Sequence, residues 1–295
     1  MKVLIVGLPF FAEKLKKDLE EFDTSNKYYF LNTYYNKWDR IKALFLIPRV
    51  DVVYSINGTL GTSKVFELAL KMKKKLMITW VGTDVLKAKN NKQPNQLFIT
   101  QAEHYCEVNW IQQELKEVNV NAEILNFFNF KEAKKESFPE NKRLQVLSYI
   151  SKGREEYYGW KEVMQAAKQL PNVDFTIVGT DRSENLPKNL KCLGWVENMD
   201  ELFEQCHCTI RFLEHDGLSG FVLESLYRGK QVVYSEPLNH CLHAKNTAEI
   251  IGALTELSDK LDKEILKPNS EGIEFVKNNF NTEYILSNLI KAFQK

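Results

Sequence analysis

The chain has 295 residues, of which 44% are hydrophobic and 27% are charged, and these values exclude an intrinsically disordered protein. A chain of this length typically forms two domains, each able to bury its own core. The net charge of +1 gives no general reason to expect nucleic acid as a partner.

The charge is unevenly distributed along the chain. Residues 1–142 contain 22 Lys and Arg against 17 Asp and Glu, whereas residues 143–295 contain 18 against 22. The basic N-terminal half therefore favours an acidic substrate or an anionic membrane surface.

The N-terminus, MKVLIVGLPFF, does not have the pattern of a signal peptide, because its apolar run is short and a Lys-rich helix pattern follows directly. No apolar run approaches the length of about 20 residues that is needed to cross a bilayer. The five cysteines are an odd number without CxxC spacing, which suits a reducing compartment. We therefore expect a cytoplasmic protein, and the basic N-terminal half allows for peripheral contact with the cytoplasmic membrane face.

In chain order, the first half alternates short apolar runs with segments of helical spacing. The apolar runs predict strands at residues 2–6, 50–56, 76–81, 97–100 and 122–125. The helical spacing predicts helices at residues 13–22, 65–75 and 107–118. This alternation with short connections predicts parallel strands joined by crossover helices.

A charged segment without apolar period, KEAKKESFPENK at residues 131–142, is interpreted as a linker, with a surface loop inside one domain as the alternative. The second half then repeats the rhythm of the first. Its predicted strands are at residues 144–150, 173–180, 190–195, 208–213 and 231–235. Its predicted helices are at residues 159–170, 201–206, 219–228, 246–258, 270–279 and 282–294.

These elements predict an α/β protein with two Rossmann-like domains, at residues 1–130 and 143–279. Residues 280–295 are predicted to form a helix that packs back on the N-terminal domain. In parallel sheets of this kind, ligands bind beyond the carboxyl ends of the strands. Two facing sheets would place a cleft between the domains.

Residues 215–230, HDGLSGFVLESLYRGK, combine a glycine-rich turn with the start of an apolar helix. Gly217, Leu218, Ser219 and Gly220 precede the helix, whose first turn has unpaired N–H groups and the positive end of the helix dipole. This arrangement suits an anion such as a diphosphate. The alternative is an ordinary helix with Ser219 as its N-cap.

Two carboxylates accompany this turn. Glu224 lies inside the helix, where it is either solvated or able to accept hydrogen bonds from the two vicinal hydroxyls of a ribose. Asp216 lies at the end of the preceding strand, where it could meet the next part of the same ligand.

The segment resembles the donor-binding signature of retaining glycosyltransferases with the GT-B fold, of the family-4 type that includes many enzymes of bacterial polysaccharide biosynthesis. That signature places seven residues between an acid and a Glu and ends in a Gly-x-Pro-Val-Val run. Here it reads Asp216-Gly217-Leu218-Ser219-Gly220-Phe221-Val222-Leu223-Glu224-Ser225, then Gly229-Lys230-Gln231-Val232-Val233. Further matching steps are Gly153-Arg154, Tyr158-Gly159, Val178-Gly179, Leu193-Gly194-Trp195-Val196 and Asp200-Glu201-Leu202, so that the resemblance covers residues 145–258.

The resemblance implies a role for each matching position. Glu224 resembles the glutamate on the ribose hydroxyls, and Asp216 resembles the acid that faces the donor sugar. The diphosphate would be held by Arg154, with Gly153 beside it, and by the turn before the helix. The base would be bordered by four residues, namely Gly179, Thr180, Trp195 and Val196.

Two positions depart from the family pattern. Asp216 is one methylene shorter than the usual Glu, which affects its contact with the sugar. Tyr158 stands in the place of the usual Lys, which removes a positive charge from the diphosphate site. Lys161 lies one helical turn further on and is either a compensating cation or a solvated helix residue.

The implied reaction transfers a sugar from a nucleotide-diphosphate sugar, with UDP or GDP, to the hydroxyl of a glycan, glycolipid or lipid-linked precursor, with retention of the anomeric configuration. No DxD motif marks a metal site, so a metal-independent mechanism is expected, with no separate cofactor.

The acceptor would enter from the N-terminal domain, at strand-end loops that contain Gly7, Gly58, Thr59, Gly82 and Thr83. Asp84 is the candidate for an acceptor contact or base, with a turn-capping Asp as the alternative.

A Lys-rich surface of the first half resembles the membrane-facing surface of family members that act on lipid-linked acceptors, although a solvated helix end is the simpler interpretation. Its residues are Lys14, Lys16, Lys17, Lys71, Lys73, Lys74 and Lys75.

Other chemistries find little support in the sequence. The GLSGF run is not GxSxG, and neither GxxxxGK[ST] nor GxGxxG follows the first strand. Cys206-His207-Cys208 and the pair His240 and His243 are interpreted as packing and surface residues rather than metal ligands. The tryptophans interpreted mostly as packing residues are Trp80, Trp110, Trp160 and Trp195. A sugar-nucleotide epimerase and a non-catalytic sugar-nucleotide or carbohydrate-binding module remain as alternatives.

Overall fold

The computed structural model describes residues 1–130 and 138–295. Most of the predicted linker at residues 131–142 therefore lies outside the described residues. The chain divides into two compact units, one formed by Met1–Lys131 with Phe280–Lys295 and the other by Glu132–Asn279.

The described part of the first unit contains a six-stranded parallel sheet with the order β2-β1-β3-β4-β5-β6. Its strands are β1 Lys2–Gly7, β2 Lys27–Phe30, β3 Val52–Ile56, β4 Lys75–Trp80, β5 Glu103–Cys106 and β6 Ala122–Ile124. The central strands are continuous apolar runs because helices cover both faces of a parallel sheet. Val3, Leu4, Ile5 and Val6 of β1 are accordingly buried without alternation.

Six α-helices and one 3₁₀ turn connect these strands within the described residues. They are α1 Pro9–Phe22, α2 Lys37–Leu46, the turn Ile47–Arg49, α3 Lys64–Lys71, α4 Thr83–Lys89, α5 Gln96–Gln101 and α6 Asn109–Glu117. Asn36 and Ser63 begin α2 and α3, and each side chain accepts hydrogen bonds from backbone N–H groups of the first turn.

The second unit contains a six-stranded parallel sheet in its described residues, with the order β12-β11-β10-β7-β8-β9. Its strands are β7 Gln145–Tyr149, β8 Asp174–Val178, β9 Leu190–Cys192, β10 Cys208–Arg211, β11 Gln231–Tyr234 and β12 Leu242–His243. Its helices are α7 Trp160–Gln169, α8 Asp200–Gln205, α9 Gly220–Tyr227, α10 Thr247–Asp262 and α11 Ser270–Asn279. The strand order reverses beside β7, which is where such sheets bind ligands.

The last helix, α12 Thr282–Gln294, belongs to the first unit. Its Phe293 ring lies 5.4 Å from the ring of Tyr54 on β3, and its Ala292 carbonyl accepts a hydrogen bond from the Lys75 side chain at 2.8 Å. Phe130 pairs with Asn281 just before the helix. The chain therefore returns to the unit in which it began.

The predicted α/β class with parallel strands is confirmed, whereas some elements differ from prediction. Residues 97–100 form part of helix α5 and not a strand, because Asn95 caps a helix there by accepting a hydrogen bond from the Leu97 N–H. Strands β2, β5 and β12 and helices α2 and α4 were not predicted, since they are short or carry polar residues that hide their period. Within the described residues, none of the helices is long and apolar enough to span a membrane.

Candidate functional site

The candidate site of the second unit lies at the carboxyl edge of its sheet. Strands β7, β8 and β10 are parallel and adjacent, so the loops that follow them emerge at the same edge. The loops contain Gly153-Arg154, Gly179-Thr180 and Asp216 to Gly220, which the sequence places far apart. The fold brings these predicted donor-binding segments together.

Tyr157 joins two of these loops. Its hydroxyl donates a hydrogen bond to the His215 carbonyl oxygen at 2.6 Å, and its own carbonyl oxygen accepts one from the Glu214 N–H at 3.3 Å. The loop after β7 is thereby attached to the loop after β10. The sequence pattern did not single out Tyr157.

Arg154 is exposed, and its guanidinium carbon lies 4.5 Å from the centre of the Tyr157 ring. The stacking keeps the guanidinium group at the sheet edge and leaves its N–H groups able to donate hydrogen bonds. Gly153, next to it, has a φ of +79° and open space where a Cβ would stand. Arg154 is therefore an exposed cation in the loop after β7, which Tyr157 joins to the loop after β10.

Asp216 is held in a network of two residues from neighbouring strands. The Arg211 Nε donates to its Oδ2 at 2.8 Å, and the Tyr234 hydroxyl lies 3.3 Å from the same oxygen. Tyr234 also donates to the Gly217 carbonyl oxygen at 2.8 Å. Burial lowers the pKa of Arg211, but the Asp216 carboxylate more than offsets this and the net shift is upward. Arg211 was not predicted, because a single Arg at a strand end has no sequence signature.

Helix α9 begins where the motif predicted. Ser219 is the N-cap residue and has an extended backbone. Its side chain accepts no hydrogen bond from the N–H groups of the first turn. Val222, Leu223 and Leu226 are fully buried and fix the helix in the unit. The N–H groups of the first turn are therefore oriented for an anion.

Glu224 forms an ion pair inside the unit. Its Oε1 accepts a hydrogen bond from an Arg228 terminal nitrogen at 3.0 Å, and Arg228 also pairs with Asp200 at the start of α8. The Arg228 side chain is 2% exposed and lies over the Phe203 ring at 4.8 Å, whereas Glu224 is 27% exposed. Glu224 is thus oriented by Arg228, which the sequence did not identify.

The residues that are predicted to border the nucleotide base differ in their exposure to solvent. Thr180 is fully buried, and its hydroxyl donates to the Glu155 carboxylate at 2.9 Å. The Gly179 N–H donates to the Gly194 carbonyl oxygen at 2.7 Å, which brings the loops after β8 and β9 together. Trp195 is 79% exposed and does not pack in the core, in contrast to the interpretation of the tryptophans as packing residues. The Trp195 indole is therefore an exposed aromatic surface beside Val196.

Lys161 lies away from these contacts. Its side chain is 77% exposed and pairs with Glu156 at 3.2 Å. The interpretation of Lys161 as a solvated helix residue describes this geometry better than that of a compensating cation.

The first unit has a pocket of about 700 Å³ at the carboxyl ends of β1 and β3. Gly7, Asn57 and Thr59 line it from the strand-end loops, and α2 contributes polar and apolar side chains, including Arg40 and Ile41. The predicted acceptor-side residues Gly7 and Thr59 therefore share one pocket.

Two further predicted residues of the first unit, Gly58 and Gly82, bind the Asp84 carboxylate through their backbone N–H groups. This carboxylate accepts hydrogen bonds from the N–H groups of Gly58, Val81, Gly82 and Val85, and the Asp84 side chain is buried. Burial raises the pKa of Asp84 although these four amides lower it. The geometry favours the turn-capping interpretation of Asp84, at the start of a helix whose first residue is Thr83.

A second buried acid, Glu107, follows β5. It accepts hydrogen bonds from the Phe127 and Phe128 backbone, while its Oε1 has no hydrogen-bond partner among the described residues. Burial raises its pKa to about 8. The sequence did not indicate this carboxyl group.

No group of three or more His, Cys, Asp or Glu side chains in residues 1–130 and 138–295 is arranged to hold a metal ion. In the Cys206-His207-Cys208 run, both His207 ring nitrogens are engaged. Nδ1 accepts from the Gln145 N–H at 3.1 Å, and Nε2 lies 3.0 Å from the Pro139 carbonyl oxygen. Both ring nitrogens of His207 therefore contact backbone groups of the same unit.

Each of the two units contains a six-stranded parallel sheet with flanking helices, which is the architecture of the GT-B class of glycosyltransferase folds. HepE of Anabaena, in complex with UDP-glucose, has this fold at a TM-score of 0.74 and 13% identity, with 100% of this chain and 99% of that chain covered. A glycosyltransferase from Rickettsia africae aligns at a TM-score of 0.70 and 14% identity, with 99% and 97% covered. The lipopolysaccharide outer core galactosyltransferase WaaB, in its apo form, aligns at a TM-score of 0.68 and 12% identity, with 99% of both chains covered.

At these identities the similarity establishes the GT-B fold of the chain. No protein-family model matches the sequence, and a comparison with curated proteins finds no significant match.

Proposed function

We propose that the protein is a glycosyltransferase that moves a sugar from a UDP-sugar to an acceptor hydroxyl with retention of the anomeric configuration. The observation that carries the proposal is the convergence of Arg154, Asp216 and the first turn of α9 at one edge of the second sheet. HepE, which shares the fold, has been observed with UDP and with UDP-glucose. This supports UDP, rather than GDP, as the nucleotide.

The donor would bind with its diphosphate at the start of α9. The amides of Leu218, Ser219 and Gly220 and the Arg154 guanidinium supply donors for its oxygens. Glu224, oriented by Arg228, would accept hydrogen bonds from the ribose hydroxyls. The nucleotide base would lie along Gly179 and the exposed Trp195, with Val196 beside it, while Asp216 faces the sugar. Thr180, which is fully buried, would hold this loop in place through its hydrogen bond to Glu155.

The reaction breaks the bond between the anomeric carbon and the diphosphate oxygen and forms a bond from that carbon to the acceptor oxygen on the same face. The acceptor proton goes to the departing phosphate oxygen, so no protein nucleophile is needed. The protein contributes positioning and stabilises the charge that develops on the leaving group. Amides and guanidinium groups supply this stabilisation without a metal ion.

The acceptor site is proposed at the pocket of the first unit, near Gly7 and Thr59. A glycan, a glycolipid or a lipid-linked precursor is the proposed acceptor class.

Peripheral membrane contact is supported by one face of α2, on which Trp38, Ile41 and Phe45 are 73%, 46% and 68% exposed. Their spacing of three and four residues places them side by side, with Lys37 and Lys42 on the flanks.

The proposal is tested in two steps, beginning with calorimetric titration of the protein with UDP, GDP, ADP and CDP. We expect tight binding of UDP alone, and binding of none of the four would contradict the donor site. UDP-sugars are then followed by NMR with and without a glycan acceptor, and the anomeric coupling of the product reports its configuration. Conversion of the sugar to its epimer without acceptor would instead identify an epimerase, and binding without turnover a non-catalytic module.

A further inference from the structure

Two arginine side chains lie in contact with the ring of Tyr158. The guanidinium carbon of Arg211 is 4.9 Å from the ring centre and that of Arg154 is 5.6 Å from it, both within the range of cation–π attraction. The position at which the family pattern has a Lys thus holds an aromatic ring, and two arginine side chains lie against this ring.

Arg211 retains most of its hydrogen-bonding capacity. Its Nε donates to Asp216 at 2.8 Å, and among the hydrogen bonds of residues 1–130 and 138–295 this is the one its side chain makes. A guanidinium has five N–H donors, so the four on its terminal nitrogens are available for another acceptor. The side chain is 11% exposed, and neither terminal nitrogen is among the fully buried atoms that lack a hydrogen-bond partner in the described residues, so these donors are open to a ligand.

The location of these donors is set by the fold. Arg211 is the last residue of β10, and its partner Asp216 begins the turn that leads into α9. Tyr234 fixes that turn by donating to the Gly217 carbonyl oxygen. The guanidinium therefore lies beside the turn whose amides are oriented for an anion.

We propose that Arg211 is a second diphosphate-binding cation of this site, and that the Tyr158 ring holds it in place by stacking. The inference rests on the proposed function and assigns phosphate recognition to a residue outside the motif. Two guanidinium groups and a helix N-terminus would then surround the diphosphate. A planar guanidinium group can donate two parallel hydrogen bonds to two oxygens of a phosphate, whereas the ammonium group of a lysine cannot.

The first test compares UDP with uridine, which lacks phosphate, in calorimetric and NMR titrations. Arg211→Gln is expected to weaken UDP binding by about tenfold or more and to leave uridine binding unchanged. Arg143→Gln is the matched control, because Arg143 belongs to the same unit and pairs with Asp174 near the other end of β7. Equal losses for UDP and uridine, or no loss of UDP binding, would overturn the inference.

The second test separates charge from shape. Tyr158→Leu removes the ring that stacks on Arg211 and should weaken UDP binding but not uridine binding. In the Arg211→Gln background, Tyr158→Lys supplies a cation from the neighbouring position and should recover at least part of the lost UDP affinity. Failure of that recovery would overturn the claim that positions 158 and 211 serve the same phosphate.

A folding defect is distinguished by Arg211→Lys, which keeps the charge beside Asp216. This variant should unfold at the same urea concentration as the unmodified protein and still bind UDP more weakly, because one ammonium replaces a planar fork. If the unmodified protein bound no nucleoside diphosphate, the proposed function itself would fail. If it bound UDP and Arg211→Gln bound UDP equally well, only the assignment of Arg211 would fail.

Discussion

The hydroxyl of Tyr157 donates a hydrogen bond to the carbonyl oxygen of His215 at 2.6 Å, across 58 residues of sequence. This contact attaches the loop that carries Arg154 to the loop that carries Asp216. The two loops follow neighbouring parallel strands, so a single side chain can join them. Together with the hydrogen bond from the Glu214 N–H to the Tyr157 carbonyl oxygen, this contact joins the two loops to each other.

Tyr157→Phe is therefore expected to lower the free energy of unfolding by about 1 kcal/mol, the usual contribution of one hydrogen bond. Because the ring under Arg154 remains, the affinity for UDP should fall by a few fold and not disappear. Urea unfolding measures the first effect and calorimetry the second. An unchanged affinity would mean that the loops are held together without this bond.

Glu224 and Arg228 should respond differently to substitution. Arg228→Leu leaves the Glu224 carboxylate without its buried partner and should lower the free energy of unfolding by about 3 kcal/mol. Glu224→Gln keeps the shape and a hydrogen-bond acceptor, so its loss of stability should be smaller.

The same Glu224→Gln variant tests the ribose contact. It should weaken the binding of UDP and of uridine by the same factor, since the ribose is common to both ligands. Titration of both ligands decides the point, and a loss confined to UDP would contradict a ribose role for Glu224.

Two glycines of the site form a matched pair. An added Cβ at Gly179 would lie 2.5 Å from the Ile150 carbonyl oxygen, whereas one at Gly153 would meet open space. Both residues have positive φ, which disfavours any other residue by about 1–2 kcal/mol. Urea unfolding should show that Gly153→Ala lowers the free energy of unfolding by about that amount and that Gly179→Ala lowers it clearly more. Similar losses for the two variants would show that the backbone near Ile150 moves to accommodate the added methyl group.

Glu107 should make the stability depend on pH. Burial raises its pKa in the folded protein from 4.5 to about 8, so the folded state keeps a proton that the unfolded state has lost. Its contribution is complete below pH 4.5 and declines as the pH rises towards 8, by at most about 1.4 kcal/mol per pH unit. Above that range its contribution should be constant.

The Glu107→Gln variant removes this titration while keeping an oxygen for the Phe127 and Phe128 amides. Its stability should therefore fall less than that of the unmodified protein between pH 5 and pH 8, and it should be the more stable of the two at pH 8. Urea unfolding at several pH values measures the difference. Parallel pH profiles for the two proteins would contradict a proton on Glu107.

The exposed face of α2 should bind anionic membranes. The triple variant Trp38→Ser, Ile41→Ser and Phe45→Ser should no longer sediment with phosphatidylglycerol vesicles, because each buried apolar side chain contributes about 1.5–3 kcal/mol. Leu97→Ser with Ile265→Ser is the control, since these side chains are also exposed but lie elsewhere. Sedimentation of the triple variant, or loss in the control, would contradict a role for this face.

The sequence alone was sufficient for the class of the fold and for the glycine-rich turn with the helix that follows it. Apolar runs that alternate with helical periods predicted the parallel sheets, because strands covered on both faces are apolar throughout. The turn and helix around Asp216 and Glu224 were predicted for a local reason: a helix N-terminus, its preceding glycines and its carboxylates are close in sequence. Segment 97–100 was assigned wrongly because a short apolar run suits either a strand or a helix, and the cap at Asn95 decided for the helix.

The tertiary structure decided which side chains complete the site. Arg211 reaches Tyr158, Arg228 joins α8 to α9, and the Asp84 carboxylate is enclosed by amides of two separate loops. These contacts unite residues that are distant in the chain, so no periodicity or spacing reports them. A parallel sheet gathers the ends of its strands at one edge, and it is this packing that turns dispersed residues into a site.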